Sequence, residues 1–366
     1  MLIYYFIWSL LFILSYCEII SFNDYSKRIT LKKNIIFILL ITFITIAGFK
    51  GNVGTDYNSY REVFEITIND RYYLFTNSIE PGFWIWIKIV SLISTNFVLF
   101  WFITCFLNIS LKFYIFSKLS PYISISLSIY FIGLFFERDF DGIRQGLAIG
   151  ISYLGIYYYL KEKYKLFYLT VFVSLSIHYT SIIFLFVPLL SKWNIKEKVI
   201  YRIIILSVLM LFFNIYLINE KTILLLGNNV ITARVLNYIE IDSYGKQTGL
   251  SMGILFRLIL LLLFIKLKNN IKIAPKLYLL LRNGLFFSII SALLFNNIDI
   301  LSHRLAYGFR EFQIFIFAYL VTAFKRRSDK LLISSIILFY ALLLLYRLLN
   351  TEHLTPYYFY KTIFNQ

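Results

Sequence analysis

Apolar residues form long runs along most of this chain, and polar residues are largely confined to the segments between the runs. About 20 apolar residues in an α-helix span the ~30 Å hydrocarbon core of a bilayer. Runs near this length predict ten transmembrane helices, at 1–20, 34–49, 95–117, 121–136, 142–160, 199–218, 250–267, 277–296, 304–324 and 331–349. The pattern predicts an all-α polytopic membrane protein that forms a single integral membrane domain over residues 1–366.

The composition agrees with a membrane protein and changes how the charge is interpreted. Hydrophobic residues make up 60% of the chain and charged residues only 15%, whereas soluble domains carry about 25% charged residues. The formal net charge is +17. In a membrane protein such an excess marks cytoplasmic loops, so it does not indicate nucleic-acid binding. The basic loops are 26–33, the shoulder 112–118, 161–165, 192–198, 266–276 and 325–330.

The remaining loops are predicted on the outside, together with both termini. The two longest are 50–80 and 219–249. Residues 81–94 contain Trp84 and Trp86 and predict a short interfacial helix, because tryptophan favours that depth.

One segment, 166–190, does not fit simple alternation. It lies between two basic loops that both favour the cytoplasm, and it has His178 at its centre and Pro188 near its end. Each limb of a hairpin would have about 12 residues, or ~18 Å, which is too short to cross the bilayer and return. A re-entrant hairpin satisfies the charges. The alternative is one ordinary span, which would place loop 192–198 outside and invert every later loop.

Several ionisable residues are predicted inside the membrane near the outer face. Arg144 begins the fifth span, Arg257 lies ~11 Å inside the seventh and Arg310 ~9 Å inside the ninth. A hairpin of the predicted height would bring His178 to a similar depth. Because charged groups in membranes usually face a cavity or a partner, these residues indicate a vestibule open to the outside.

The ninth span carries two polar stripes. His303, Tyr307 and Arg310 follow i, i+4, i+7 spacing, and Arg304 and Glu311 form a neighbouring stripe that does not require an ion pair within the helix. Three other arginines lie nearer to span ends and are interpreted as snorkelling to lipid head groups; they are Arg202, Arg282 and Arg347.

These residue types suit one kind of chemistry. Arginine binds phosphate through paired, charge-assisted hydrogen bonds, and histidine accepts a proton from a hydroxyl at neutral pH. The loop 51–65 mixes aromatic, amide and carboxylate side chains that suit sugars, although an ordinary solvated connection has the same composition. Nucleotide-binding, metalloprotease and serine-hydrolase motifs are absent from the sequence, and its three histidines and two cysteines have no metal-ligand spacing.

The residues then resemble a known family, the EpsG-type, Wzy-like polymerases of bacterial O-antigen and exopolysaccharide pathways. Arg234 before Tyr238, and Arg304 with Tyr307, are similar to a later arginine–tyrosine pattern of that family. The main matching segments are Gly54-Thr55-Asp56-Tyr57 with Tyr60, Glu80-Pro81-Gly82-Phe83, Ile143-Arg144-Gln145-Gly146-Leu147-Ala148 and Ser176-Ile177-His178-Tyr179-Thr180-Ser181.

The resemblance implies a glycosyltransferase with a GT-C-like helical fold in the bacterial inner membrane. It would act at the periplasmic face, moving a glycan from undecaprenyl pyrophosphate onto the terminal sugar of another lipid-linked repeat unit. No metal, nucleotide or other cofactor and no nucleic-acid partner is implied. A flippase and a chain-length regulator are the implied protein partners.

On this hypothesis the arginines stabilise the leaving pyrophosphate and His178 is the base for the acceptor hydroxyl, with Asp139 or Asp141 as the rival base. The catalytic residues are His178, Arg144, Arg310 and Arg304. The substrate-binding residues, which assist the phosphate or position sugars, are Arg257, Arg234, Asp56, Glu80, Tyr238 and Tyr307.

Other functions stay open at this point. An O-antigen ligase would share the donor and the periplasmic site, with lipid A-core as the acceptor. A lipid-linked oligosaccharide flippase would expose cationic cavities to both faces, whereas the candidate arginines cluster on one. A secondary transporter would show paired repeats, and a structural scaffold would not require arginines at depth.

Overall fold

The computed structural model describes residues 1–21, 25–70, 79–213, 215, 249–296, 306–350 and 359–365. Throughout these ranges the chain is helical or irregular, with one isolated antiparallel bridge between Lys50 and Thr362. The all-α prediction is confirmed. Most of the predicted loop 219–249 lies outside the described residues.

The helices follow the predicted apolar runs. We number them α1 (Leu2–Ile20), α2 (Tyr25–Gly48), α3 (Tyr57–Asn69), α4 (Pro81–Ser91), α5 (Phe97–Leu119), α6 (Ile123–Tyr130), α7 (Ile143–Leu160), α8 (Tyr164–Ile177), α9 (Val187–Lys192), α10 (Glu197–Phe212), α11 (Met252–Lys266), α12 (Pro275–Leu294), α13 (Gln313–Thr322) and α14 (Arg327–Leu349). A π-helix, Phe131–Asp141, continues α6, and 3-10 turns cover Tyr179–Phe186, Lys268–Asn270 and Ile363–Asn365.

Within the described residues, five helices are both long and apolar enough to cross a membrane. The other predicted runs contain helices that are shorter, interrupted or less apolar, so the number of ten spans stays a prediction. The GT-C-like arrangement stays a prediction as well. The five candidate spans are Leu2–Ile20, Ile29–Gly48, Phe97–Leu119, Pro275–Leu294 and Arg327–Leu349.

The described residues form two compact units, which we describe separately. The first unit comprises Met1–Leu185 and Phe317–Gln366, and the second comprises Phe186–Ile316. That the whole chain is one integral membrane domain stays a prediction.

Hydrogen bonds at the helix ends show which loops of the first unit share a side. The bridge between Lys50 and Thr362 joins the loop after α2 to the C-terminal tail. Near the opposite end of α2, Lys32 Nζ donates to the carbonyls of Ser117 and Ser120, at 2.9 and 3.3 Å. Both serines lie at the C-terminal end of α5. Loops 26–33 and 112–118 were predicted on one side, and loop 50–80 and the C-terminus on the other. Which face is periplasmic stays a prediction.

Two short helices bear on the outside loops. The short helix predicted around Trp84 and Trp86 is present as α4, with Pro81 in its first turn, where the missing N–H costs nothing. That it lies at the membrane interface stays a prediction. The loop 50–80 is not simply an irregular connection, because its middle forms α3.

The predicted break at His178 is confirmed. Helix α8 ends at Ile177, and His178 has an extended backbone, with φ −154° and ψ 119°. A 3-10 turn begins at Tyr179. Whether the chain re-enters or crosses the bilayer here stays a prediction.

The prediction that Lys112 belongs to a basic cytoplasmic shoulder is wrong. Lys112 lies inside α5, its side chain is fully buried, and its Nζ forms an ion pair with the buried Asp139 of the π-helix. Nζ also donates to Asn108 Oδ1 at 2.5 Å and to the Gly146 carbonyl at 2.9 Å, while Tyr130 donates to Asp139. The apolar run of α5 therefore contains a buried lysine, and its partner in the ion pair is 27 residues further along the chain.

The snorkelling interpretation of Arg282 is also wrong. In the second unit this side chain is buried within α12, and its Nε donates to Asn283 Oδ1 at 3.0 Å. Asn283 in turn donates to the carbonyls of Leu190 and Trp193, at 2.7 and 2.6 Å. Arg282 therefore belongs to the packing between α9 and α12.

The buried pair yields a stability prediction. Replacing Lys112 with methionine should destabilise the protein by about 3–5 kcal/mol, because it leaves the Asp139 carboxylate buried without its cation. The measurement is thermal unfolding in detergent, followed by size-exclusion chromatography. Adding Asp139→Leu should recover part of the loss. Lys118→Met, at an exposed position of the same helix, is the matched control; equal melting of the two single variants would contradict a role for the pair.

Candidate active site

One carboxylate in the first unit contacts both of the strongest candidates from the sequence. Glu80 lies immediately before α4. Its Oε2 accepts a hydrogen bond from Arg144 Nη1 at 2.7 Å, and its Oε1 lies 2.8 Å from His178 Nδ1. The side chain of Glu80 is 5% exposed, against 28% for Arg144 and 16% for His178. An almost enclosed carboxylate therefore connects two partly accessible basic side chains.

The sequence of α4 explains how Glu80 reaches this position. Pro81 sets the first turn of the helix, and Gly82 packs directly against the end of α8. A Cβ atom on Gly82 would lie 2.2 Å from Ser176 Oγ and 2.7 Å from the Ser176 carbonyl carbon. Only glycine allows this approach, and the residue two positions earlier thereby comes within reach of His178.

The segments that contain Arg144-Gln145 and His178-Tyr179-Thr180 share Glu80 as a partner and also contact each other directly. Gln145 Nε2 donates to Thr180 Oγ1 at 3.3 Å. Further along the helices, Ser174 Oγ donates to the Ala148 carbonyl at 2.7 Å. Helices α7 and α8 pack against each other along their lengths. The motif spacing therefore reflects one interface between two neighbouring helices.

Aromatic side chains surround Arg144. Its guanidinium lies 5.9 Å from the centre of the Phe83 ring, and Tyr60 packs on the same ring. Burial raises the pKa of Tyr60 to about 12, although the nearby Arg144 acts in the opposite direction. Tyr60 is thus neutral and can only add a hydroxyl to this region. The planar guanidinium of an arginine suits paired hydrogen bonds to an anion.

The electrostatics of Glu80 favour its ionised form. Burial alone would raise its pKa, but the hydrogen bond from His178 and the charge of Arg144 outweigh burial, so the pKa lies below its usual value. At neutral pH the group is a carboxylate.

The segment Gly54–Tyr57 is held against the start of α7 by Asp141. The Thr55 and Asp56 backbone amides donate to its carboxylate at 3.1 and 3.0 Å, and Thr55 Oγ1 donates at 2.5 Å. Gly54 has φ +101°, and a Cβ there would lie 2.4 Å from Asp141 Oδ1. Asp56 is exposed at the start of α3, although partial desolvation by its neighbours and the negative charge of Asp141 raise its pKa.

A buried lysine, Lys50, contacts the chain immediately before this segment. Its Nζ is buried, donates to the Val53 carbonyl at 2.6 Å and lies 4.4 Å from the ring centres of both Trp101 and Phe140. Burial lowers the pKa of Lys50 to about 8, although the charge of Asp141 opposes the shift. Sequence reasoning missed this lysine, because nothing adjacent to it in sequence indicates a buried cation.

The rival bases differ in accessibility. Asp139 is fully buried against Lys112, Asn108 and Tyr130 and is thereby committed to packing. Asp141 is engaged by the Thr55 and Asp56 donors. His178 contacts Glu80 through Nδ1, and its side chain is 16% exposed.

Two of the candidates in the second unit, Tyr307 and Arg310, contact each other. Arg310 Nε donates to the buried Glu311 Oε1 at 2.8 Å, and its guanidinium lies 4.2 Å from the Tyr307 ring centre. The ion pair was not expected from the stripe pattern. Arg257 lies in α11 and is partly exposed. Arg234, Tyr238, His303 and Arg304 lie outside the described residues, so their contribution to a common site with Arg144 stays a prediction.

The geometry and the fold together define a class of protein. Three of the four main segments of the resemblance meet in the first unit at Glu80, Arg144 and His178, and the first segment reaches them through the contact of Tyr60 with Phe83. The same unit contains membrane-length apolar helices. Within the described residues, no group of three or more His, Cys, Asp or Glu side chains is placed to hold a metal ion. The chain is a multi-pass membrane protein in which a carboxylate, a guanidinium and an imidazole cluster near helix ends.

Comparison with known proteins identifies the family. The EpsG family model matches residues 33–362, and the chain belongs to the EpsG family. No curated protein and no solved structure matches the chain. Family membership confirms the resemblance drawn from the sequence and indicates a polysaccharide-polymerase-like membrane glycosyltransferase that uses lipid-linked saccharides.

The close contact at Gly82 gives a prediction for the site. Gly82→Ala should displace α4 from α8 and separate Glu80 from His178, because the added Cβ meets backbone atoms that cannot rotate away. We expect polysaccharide chain extension to fall at least tenfold while membrane insertion is retained. Gly253→Ala is the control, since a Cβ there meets only Ser251 Oγ, at 3.9 Å. Unchanged extension by Gly82→Ala would show that the approach is not needed.

The buried Lys50 gives a pH prediction. Its folded pKa of about 8 lies below the ordinary 10.5. Between these values the unfolded chain binds more protons, so the stability of the wild type rises with pH. Relative to Lys50→Met, the gain should approach about 3 kcal/mol between pH 7 and pH 11. The measurement is the free energy of unfolding in mixed micelles, with the exposed Lys163→Met as control. A flat difference between wild type and Lys50→Met would show that the pKa of Lys50 is the same in the folded and unfolded chain, and would contradict its lowering by burial.

Proposed function

We propose that this protein is an O-antigen or exopolysaccharide polymerase of the bacterial inner membrane. In this proposal it transfers a growing glycan from undecaprenyl pyrophosphate to the terminal sugar hydroxyl of a lipid-linked repeat unit at the periplasmic face. A flippase that delivers the repeat units and a chain-length regulator are its proposed partners.

The observation that carries the proposal is the attachment of Arg144 and His178 to one carboxylate. Glycosyl transfer from a lipid pyrophosphate has two requirements, a base for the acceptor hydroxyl and a cation for the leaving group. These two residue types lie on either side of Glu80, at 2.7 and 2.8 Å. Both side chains retain some exposure, so a substrate can reach them.

The proposed reaction follows from these two groups. The acceptor hydroxyl attacks the anomeric carbon of the donor glycan, and its proton passes to the imidazole of His178. The bond from the anomeric carbon to the pyrophosphate oxygen breaks, and its electron pair leaves with undecaprenyl pyrophosphate. Arg144 stabilises the negative charge that develops on that oxygen. The products are the lengthened lipid-linked glycan and free undecaprenyl pyrophosphate, and the proton on His178 is returned to solvent.

Other residues keep the roles proposed from the sequence. Arg304 and Arg310 would add cations to the pyrophosphate, and Arg257 and Arg234 would assist the phosphate or the acceptor. Asp56 is exposed on the segment beside α7, where its carboxylate suits sugar hydroxyls. Tyr238 would position sugars, and Tyr307, whose buried ring contacts the Arg310 guanidinium, would act on the substrate through that arginine.

The test is chain extension by purified protein supplied with lipid-linked repeat units isolated from producing cells. His178→Ala should reduce extension by about 10²–10⁴-fold, as expected for a general base. Arg144→Ala should reduce it by about 10²–10³-fold, as expected for a preorganised charge. Arg144→Lys should restore only part of the loss, because a lysine lacks the planar fork. Arg310→Ala should also slow extension.

Arg61→Ala is the matched control, since Arg61 is an exposed arginine of α3 that pairs with Glu65 on the surface. Insertion of each variant is checked separately. Normal chain length in the Arg144, His178 and Arg310 alanine variants would overturn the proposed site. Transfer by the wild type only onto lipid A-core would identify a ligase, and the absence of transfer would favour transport or a scaffold.

A further inference from the structure

We infer that Glu80 is a positioning residue for the proposed reaction, rather than the sugar-binding residue expected from the sequence. It fixes the tautomer of His178 and the orientation of the Arg144 guanidinium. This inference rests on the proposed polymerase function and assigns Glu80 a different role within the same site.

The Glu80 carboxylate is hardly accessible to a sugar. Each oxygen of the Glu80 carboxylate already has a partner, Arg144 on one and His178 on the other. Only 5% of the side chain is exposed. A carboxylate that binds a sugar must expose its oxygen atoms to the hydroxyl groups of that sugar. The oxygen atoms of Glu80 are almost fully covered. Asp56, which is exposed, fits sugar binding better.

The contact with Glu80 determines which nitrogen of the His178 imidazole carries the proton. An ionised carboxylate can only accept hydrogen bonds, so the Nδ1 atom that lies 2.8 Å away must carry the proton. A neutral imidazole protonated on Nδ1 has its lone pair on Nε2, at the other edge of the ring. Glu80 therefore selects the tautomer whose Nε2 can accept the proton of an acceptor hydroxyl. It also stabilises the imidazolium that this transfer creates.

Glu80 also restricts the orientation of the Arg144 guanidinium. The bond to Glu80 uses Nη1 of Arg144 and is the only side-chain hydrogen bond of Arg144 found within the described residues. The Phe83 ring on one side and the carboxylate at one nitrogen together restrict the plane of the group. The Nη2 atom and the exposed part of the side chain are left for an anion. An arginine oriented in advance stabilises a leaving group better than a mobile one.

The two interpretations of Glu80 differ in kinetics. A sugar-binding carboxylate contributes mainly to substrate affinity, so its loss raises KM. A carboxylate that positions the base and the cation acts on the chemical step, so its loss lowers kcat. The amide of Glu80→Gln occupies nearly the same volume, but its nitrogen can donate to Nδ1 and favour the other tautomer.

We expect Glu80→Gln to lower kcat for chain extension about 10²-fold or more, with KM for the lipid-linked acceptor changed less than threefold. The acidic limb of the kcat/KM pH profile should move to lower pH, because the imidazolium loses its anionic partner. Glu80→Asp should recover part of kcat. Glu62→Gln, at an exposed carboxylate of α3, is the matched control. A raised KM with unchanged kcat would overturn the inference in favour of sugar binding.

A spectroscopic measurement does not depend on turnover. The chain has three histidines, so ¹⁵N side-chain spectra of the protein in micelles can be assigned with His303→Gln and His353→Gln variants. In the wild type at high pH, the His178 signals should report protonated Nδ1 and unprotonated Nε2. In Glu80→Gln they should shift toward the other tautomer. An Nε2-protonated imidazole in the wild type would overturn the inference.

The two readouts separate the inference from the proposed function. If the wild type extends no chains, the polymerase proposal fails, while the tautomer measurement still tests the geometry. If the wild type extends chains and Glu80→Gln matches it in kcat, pH profile and His178 spectrum, the role of Glu80 fails alone. Melting temperatures identify misfolding, and Glu80→Asp then provides the test.

Discussion

A carboxylate buried among apolar side chains is costly unless hydrogen-bond donors surround it, and this constraint organises the first unit. Three of its buried carboxylates, and the partly exposed Asp141, accept donors from a different part of the chain, so each one joins two segments that are distant in sequence. The contacts join Glu18 to the backbone amides of Ile123 and Ser124, Glu80 to Arg144 and His178, Asp139 to Lys112, and Asp141 to Thr55 and Asp56.

These carboxylates divide into structural and functional groups by what surrounds them. Asp139 and its partners are fully enclosed, so their hydrogen bonds serve only packing. Glu80 is nearly enclosed, yet both of its partners reach a more accessible region. A network that is closed on one side and open on the other holds side chains in fixed positions while presenting them to a substrate. The same physical rule therefore accounts for the stability of the bundle and the geometry of its candidate site.

Much of the helical architecture and part of the site could be predicted from the sequence. Apolar runs located the helices, and the position of His178 between two basic loops located the break in α8. The contacts between residues that are distant in sequence could not be predicted. His178 and Arg144 lie 98 and 64 residues from Glu80, and hydrophobic periodicity carries no information on such contacts. The same limit explains the error at Lys112, since a lysine in a run looks identical whether it faces lipid head groups or a buried aspartate.

The charges of the cluster explain how it can be both buried and reactive. With a neutral imidazole, the carboxylate of Glu80 and the guanidinium of Arg144 cancel, so the resting site carries no net charge and avoids the cost of an unpaired ion. When His178 takes a proton from the acceptor, the cluster becomes positive. In the proposed reaction this happens as negative charge develops on the departing pyrophosphate, so the added cation opposes the added anion. Glu80 is required for both states, because without it the resting site would already be positive and the protonated imidazole would lie next to an arginine with no anion between them.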